Sequence, residues 1–172
     1  MPPRLLRLVT PVALAAALLI SGCGDDDSGS AEAEQAAETA ADARAMLEDT
    51  SVKPVIAKPT GSPPRRLVKE DIVRGRGRAA KAGDRITVQY VGVSFSTGAQ
   101  FDASWDSGRP FSFFLGAGEV IPGWDKGIVG MKKGGRRKLT IPPEQAYGAQ
   151  GSPPDIAPNE TLVFVVDLVK IH

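Results

Sequence analysis

The run Glu119-Val120-Ile121-Pro122-Gly123-Trp124-Asp125-Lys126-Gly127-Ile128-Val129-Gly130-Met131 sets the terms on which the rest of the chain can fold. Ile121, Trp124, Ile128 and Met131 recur at steps of three, four and three, the spacing of one helical face. Pro122 suits a first helical position, where a missing N–H costs little. Asp125 falls near the positive N-terminal end, and Lys132 and Lys133 fall near the negative C-terminal end. Gly130 or Gly134 can end the helix. A helix of about two turns with two internal glycines does not persist alone in water, so a larger body must hold it. The stretches Ile86–Tyr90, Leu139–Ile141 and Leu162–Val166 alternate with period two. The expectation is an α+β fold, a curved sheet wrapped on one short helix, with Trp124 at the helix mouth.

Further strand candidates are Leu67–Val73, stopped by Gly75 and Gly77, then Arg85–Val93, Phe101–Ser104, Phe111–Leu115, Arg136–Ile141 and Thr161–Ile171. In the last, Leu162, Phe164, Val166 and Leu168 face inward. Val163 and Val165 then form an apolar outer strip that something should cover. The basic cluster Lys132, Lys133, Arg136, Arg137 and Lys138 reads as a solvated helix end and strand rather than a nucleic-acid site.

The chain holds one cysteine, Cys23, and one histidine, His172 at its end. That excludes an intrachain disulfide, a Cys/His metal cluster and His-dependent nucleophilic catalysis within the domain. No metal or cofactor is expected. Aromatics stand at strand ends and beside turns: Tyr90, Phe101, Phe111, Phe113, Trp124, Tyr147 and Phe164. Ring-bearing residues next to loops suggest a pocket wall as well as core.

Arg4 and Arg7 precede an apolar run from Leu8 to Ile20, which is short for a membrane span and has the form of a secretory signal. Ile20-Ser21-Gly22-Cys23 resembles a bacterial lipobox. The resemblance implies a signal peptide over 1–22, lipidation of Cys23 and a bacterial envelope protein anchored outside the cytoplasm. An ordinary signal with an incidental cysteine is the alternative. From Gly24 to Thr60 there are nine Asp/Glu and three Lys/Arg. Gly/Ser/Asp, Ala/Glu and Pro-rich stretches follow one another, so 23–64 reads as an acidic flexible tether before a domain at 65–172.

Within that domain Tyr90-Val-Gly92, Phe101-Asp102, Pro110-Phe111-Ser-Phe113, Glu119-Val-Ile-Pro-Gly-Trp124, Ile141-Pro142, Ala146-Tyr147-Gly148 and Leu162-Val-Phe164 occur in order. Together they resemble an FKBP-type peptidyl-prolyl cis-trans isomerase over roughly Leu67 to His172. The resemblance implies a five- or six-stranded antiparallel sheet around a short helix, and roles for individual residues. Trp124 is the pocket floor, lined by Tyr90, Phe101, Phe111, Val120, Ile121 and Phe164. Tyr147 offers its hydroxyl, and Ile121 its backbone N–H, to substrate carbonyls. Asp102 sits at the edge, and Ile156 on the flanking loop. Ser152, Asp155 and Ser107 depart from the pattern of the best-known members, so loop contacts are not carried over.

The implied partners are X-Pro segments of exported proteins and macrolides such as rapamycin, bound by a monomer with no nucleic acid. The chemistry agrees with the inventory. The amide barrier is about 18–20 kcal/mol, while cis and trans X-Pro differ by only about 0.5–1 kcal/mol. Lowering that barrier asks for a dry pocket and a few donors, not a nucleophile. The rival readings are a holdase that grips Pro-containing segments without turnover and a structural lipoprotein with a vestigial domain.

Overall fold

The computed structural model describes residue 45 and residues 47–172. Cys23, the expected leader and the first part of the expected tether lie outside the described residues. From Val68 to Ile171 eight strands and two short α-helices follow in order: β1 Val68–Val73, β2 Arg76–Ala79, β3 Arg85–Ser94, β4 Gln100–Ala103, α1 Ser104–Ser107, β5 Phe111–Phe114, α2 Pro122–Gly127, β6 Lys132–Lys133, β7 Arg136–Ile141 and β8 Leu162–Ile171. A 3-10 turn at Pro143–Gln145 separates β7 from the long loop before β8. Six strands form one antiparallel sheet in the order β1-β7-β8-β3-β4, with β5 also on β3. β2 and β6 make a separate two-stranded ribbon. The α+β expectation of an antiparallel sheet on a short helix is met. The ribbon and α1 occupy stretches that sequence patterning leaves as turns.

β8 pairs with β3 from Ile86 to Ser94. On its other side β3 changes partner, with β5 opposite Arg85–Val88 and β4 opposite Val91–Val93. Gln89 and Tyr90 fall in the gap between the two. There Ser104 Oγ accepts the Tyr90 N–H at 2.8 Å, so the orphaned backbone donor is satisfied by the first residue of α1.

The inner face of the sheet packs Ile86, Val88, Leu139, Ile141, Leu162, Phe164, Val166 and Leu168 against Trp124, Ile128 and Met131. α2 starts with Pro122 and ends at Gly127, earlier than Gly130. Its glycines are explained by its approach to β7. A Cβ at Gly123 would stand 2.3 Å from Ile141, and one at Gly127 would stand 2.8 Å from Leu139. Asp125 does more than face a helix terminus. Its carboxylate accepts the N–H groups of Gly116 at 2.7 Å and Gly118 at 3.0 Å, tying the preceding loop to α2.

The reading of Arg136 and Arg137 as part of a solvated cluster is corrected by the structure, because both side chains are buried. Strand alternation sends them to opposite faces. Arg137 donates from Nη1 to the carbonyls of Gly127 at 2.7 Å and Val129 at 3.1 Å, just past the end of α2, and from Nε to Asp71 at 2.5 Å. That hydrogen bond holds the Asp71 carboxyl below the usual carboxylate range. Arg136 is fully buried on the outer face and grips Asp167 through Nε at 2.5 Å and Nη2 at 2.8 Å. Burial pushes the Asp167 carboxyl upward, and the guanidinium opposes that push.

The other donors of Arg136 reach the carbonyls of Leu47 at 2.9 Å, Asp49 at 3.0 Å and Val52 at 2.9 Å. Residues 47–64 contain no strand, in keeping with their prolines, but they are not detached from the sheet. Pro54 is buried, and Ile56 packs with Phe95 and Trp105 on an outer cluster of Val91, Val93, Ala103 and Val163. The apolar strip at Val163 is therefore covered from within the chain, by part of the segment expected to be a tether.

Removing one partner of a buried pair strands the other charge. Arg136→Ala is expected to lower the unfolding free energy by about 3–5 kcal/mol in urea denaturation. A loss below about 1 kcal/mol would show that Asp167 finds another partner.

Candidate functional site

The N-terminal end of α2 opens beneath the gap in β3, and a cavity of about 210 Å³ lies there. Its walls are Tyr90, Phe101, Asp102, Phe111, Glu119, Val120, Ile121, Trp124, Tyr147 and Phe164. Larger clefts of about 310 and 500 Å³ run beside residues 58–65, lined mainly by prolines and polar side chains. Enclosure by rings, rather than size, distinguishes the site.

Each wall has a local cause. Trp124 occupies the first turn of α2 and is only 4% exposed. Its ring meets Tyr90 at 5.0 Å and Phe164 at 5.2 Å, both edge-on, and Phe113 at 5.8 Å. Phe164 projects inward from β8 and meets Phe101 of β4 at 5.4 Å, again edge-on. Phe111 of β5 stacks on Phe113 at 5.4 Å and stands 41% exposed at the rim. Edge-to-face contacts of this kind add stabilisation beyond area alone. They also hold the rings as a platform that leaves its open side unfilled.

Gly92 is what allows that arrangement. A Cβ there would lie 2.7 Å from the Phe101 ring and 2.7 Å from the Phe164 ring. No other residue type leaves β3 flat enough for the two rings to meet over it.

The polar groups lie at the edge. The Tyr90 hydroxyl donates to Asp102 Oδ2 at 2.5 Å. Burial, followed by that hydrogen bond to a carboxylate, pushes the Tyr90 phenol well above its ordinary value. Tyr90 therefore stays protonated and serves as a fixed donor to Asp102. The Ile121 backbone N–H, the Tyr147 hydroxyl and Trp124 Nε1 have no partner among the described residues, and the last of them is buried. Such donors can take a carbonyl from an incoming chain.

Nine of the ten domain residues expected at the site line this one cavity: Tyr90, Phe101, Asp102, Phe111, Val120, Ile121, Trp124, Tyr147 and Phe164. Ile156 does not. It is 5% exposed, joins the main core and is bonded across a small bridge to Ser152, which fixes the flanking loop. Glu119 is a wall residue that sequence reasoning quoted but did not assign. Its Oε2 accepts the Phe114 N–H at 3.1 Å, joining β5 to the approach of α2. Its place beside Val120 in the motif was the available signal. Cys23 lies outside the described residues. Among the described residues no group of His, Cys, Asp or Glu could hold a metal ion.

The fold and site together are thus a short antiparallel sheet over a short helix with an open aromatic cavity at the helix start. Comparison with known proteins narrows this. Residues 76–169 match the family model described as FKBP-type peptidyl-prolyl cis-trans isomerase. The chain is 55% identical over 120 residues to an FK506-binding protein of Streptomyces anulatus, covering 69% of this chain and 97% of that one. It is 50% identical over 118 residues to a probable FK506-binding protein of Corynebacterium glutamicum, covering 69% of this chain and 98% of that one. The crystal structure of AtFKBP13 superposes with a TM-score of 0.57 at 38% identity, covering 62% of this chain and 93% of that one. The chain belongs to the FKBP-type peptidyl-prolyl cis-trans isomerase family.

Gly92→Ala is expected to drive the Phe101 and Phe164 rings apart, costing about 1–3 kcal/mol by overpacking. Urea unfolding and near-ultraviolet circular dichroism should both change. An unaltered aromatic spectrum would show that the rings do not meet over β3.

Proposed function

We propose that the chain is a lipid-anchored, extracytoplasmic prolyl isomerase that accelerates X-Pro steps in the folding of exported proteins. The observation that carries the isomerase part is the aromatic cavity with unpaired donors at its edge. In water the X-Pro carbonyl accepts hydrogen bonds that stabilise the resonance form with a C–N double bond. Seating the proline on Trp124, between Tyr90, Phe111 and Phe164, replaces that water with rings. The planar amide loses support relative to the twisted one, whose charge separation is smaller. The rate gain comes from complementarity to the twisted state and not from proton transfer.

Residue roles follow from position. Trp124 is the floor; Tyr90, Phe101, Phe111, Val120, Ile121 and Phe164 are walls. The Ile121 N–H and the Tyr147 hydroxyl hold carbonyls of the segment flanking proline. Asp102, fixed by Tyr90, presents its remaining acceptor capacity to the edge of the twisting amide. The same cavity is proposed to take macrolides such as rapamycin, which accords with relatives named for binding FK506.

The test is cis-to-trans relaxation of an X-Pro peptide with the whole chain, with and without rapamycin. Drug-sensitive acceleration is expected. Tyr147→Phe should lower kcat/KM by about threefold to tenfold, the scale of one hydrogen bond to a neutral partner. Because Tyr147 is 43% exposed, the fold should be unaffected. A folded chain that binds the peptide without accelerating it would leave a grip on Pro-containing segments and overturn the isomerase reading.

The envelope placement rests on the lipobox resemblance of Ile20–Cys23 and the apolar run before it. Cys23→Ser is expected to move the protein from the membrane fraction to the soluble fraction of lysed cells. A variant that still sediments with membranes would overturn the anchor.

A further inference from the structure

β4 is a thinly supported strand of the sheet, as β5 is. It is four residues long, lies at the edge and pairs only with β3. Yet it carries Phe101 and Asp102, two walls of the cavity. An edge strand with one hydrogen-bonded neighbour is a place where local opening is easy. Something beyond the ladder must hold it for the cavity to keep its shape.

The structure supplies three contacts, all from the segment that precedes the family-matched residues 76–169. Lys53 Nζ meets Asp106 Oδ1 at 2.5 Å, while Gln100 Nε2 of β4 donates to Asp106 Oδ2 at 2.8 Å. Asp106 lies in α1, which continues directly from β4. Ile56 joins the outer cluster that contains Ala103 of β4 and Trp105 of α1. Lys58 covers the turn before β4, so closely that a Cβ on Gly98 would stand 2.7 Å from it. β4 is thus held at its start by Lys58 and at its end by Lys53 and Ile56. α1 also contributes Ser104, whose Oγ accepts the Tyr90 N–H and donates to Gln89 Oε1. The same helix therefore fixes the Tyr90–Asp102 pair from both sides.

We propose that residues 53–58 are a positioning strap for the cavity, with Lys53, Ile56 and Lys58 setting where Phe101 and Asp102 stand. The strap touches no substrate. It acts through β4 and α1, and its effect on turnover rests on the isomerase reading above. It makes substrate affinity depend on a segment that precedes residues 76–169.

The experiment uses the whole chain with Lys53→Ala/Ile56→Ser, which spares the three carbonyls that hold Arg136. Val55→Ser is the control, because Val55 lies in the same segment and is 73% exposed. Backbone hydrogen exchange over 100–103 and KM and kcat for an X-Pro peptide are measured together. Exchange in β4 is expected to rise about tenfold or more, with no matching rise in β8. KM is expected to rise about threefold to tenfold, with kcat changed less. Lys53→Arg alone should keep wild-type values, since its guanidinium can still reach Asp106. Val55→Ser should change nothing.

Unchanged exchange in β4, or unchanged KM alongside a lower unfolding midpoint, would overturn the proposal and leave the segment a stabilising cover. Should the double variant not fold, Lys53→Ala alone is measured; an exposed ion pair contributes little to folding, so a rise in β4 exchange of about twofold to fivefold with none in β8 is expected, and no rise overturns the proposal. If the wild-type chain does not accelerate the peptide, the isomerase reading fails, and exchange in β4 still decides the strap.

Discussion

Two consecutive guanidinium groups at the start of β7 govern how this molecule is assembled. A buried cation must be paired and its donors filled. Arg137 does this on the inner face, with Asp71 of β1 and two carbonyls at the end of α2. Arg136 does it on the outer face, with Asp167 of β8 and three carbonyls of residues 47–52. Four separate pieces of chain converge on two adjacent residues. A slip of β7 by one position would exchange the two faces and leave both cations among the wrong partners. The pair therefore fixes strand register more sharply than the apolar pattern of Leu139 and Ile141 does alone.

The cavity depends on that register. α2 can approach β7 only because Gly123 and Gly127 face Ile141 and Leu139. That approach places Trp124 under the point where β3 changes partner between β5 and β4. At the same point Gly92 lets Phe101 and Phe164 come together. Rings from β3, β4, β5, α2 and β8 then meet edge to face, and their packing is satisfied without closing the top. A concave apolar surface is usually filled or covered. Here the platform keeps it open, with the unpaired donors of Ile121 and Tyr147 beside it.

Most of the inner architecture was legible because it is written in local periodicity. Alternation marked β3, β7 and β8, and steps of three and four marked α2. The cavity walls were legible through motifs that are contiguous or nearly so, such as Glu119 to Trp124. What escaped was set by partners distant in sequence. Arg136 and Arg137 look like any exposed basic run, and only tertiary contact shows that both are buried. β2 and β6 are too short for a period to emerge. Ile156 sits in a Pro- and Gly-rich loop that sequence alone assigns to a rim, yet its side chain turns into the core. Residues 50–64 have the composition of a linker, and their four prolines disfavour regular structure. They say nothing against lying on a sheet.

That last point separates two meanings of a domain boundary. The family model begins its match at residue 76, while the relative from Streptomyces anulatus aligns over 69% of this chain. Folding energetics begin earlier. The outer face carries the apolar Val91, Val93 and Val163 and a buried Arg136 whose donors must be filled. A chain cut at residue 76 would lose β1, expose that strip and deprive Arg136 of three carbonyl partners. Main-chain carbonyls from a proline-rich segment solve both problems at once, since they need no regular structure to accept hydrogen bonds. Because the cover runs past α1 and the β4 turn on its way to β1, it also bears on a cavity wall that has a single strand neighbour. The outer face is thus a determinant of the inner one, through an edge strand that belongs to both.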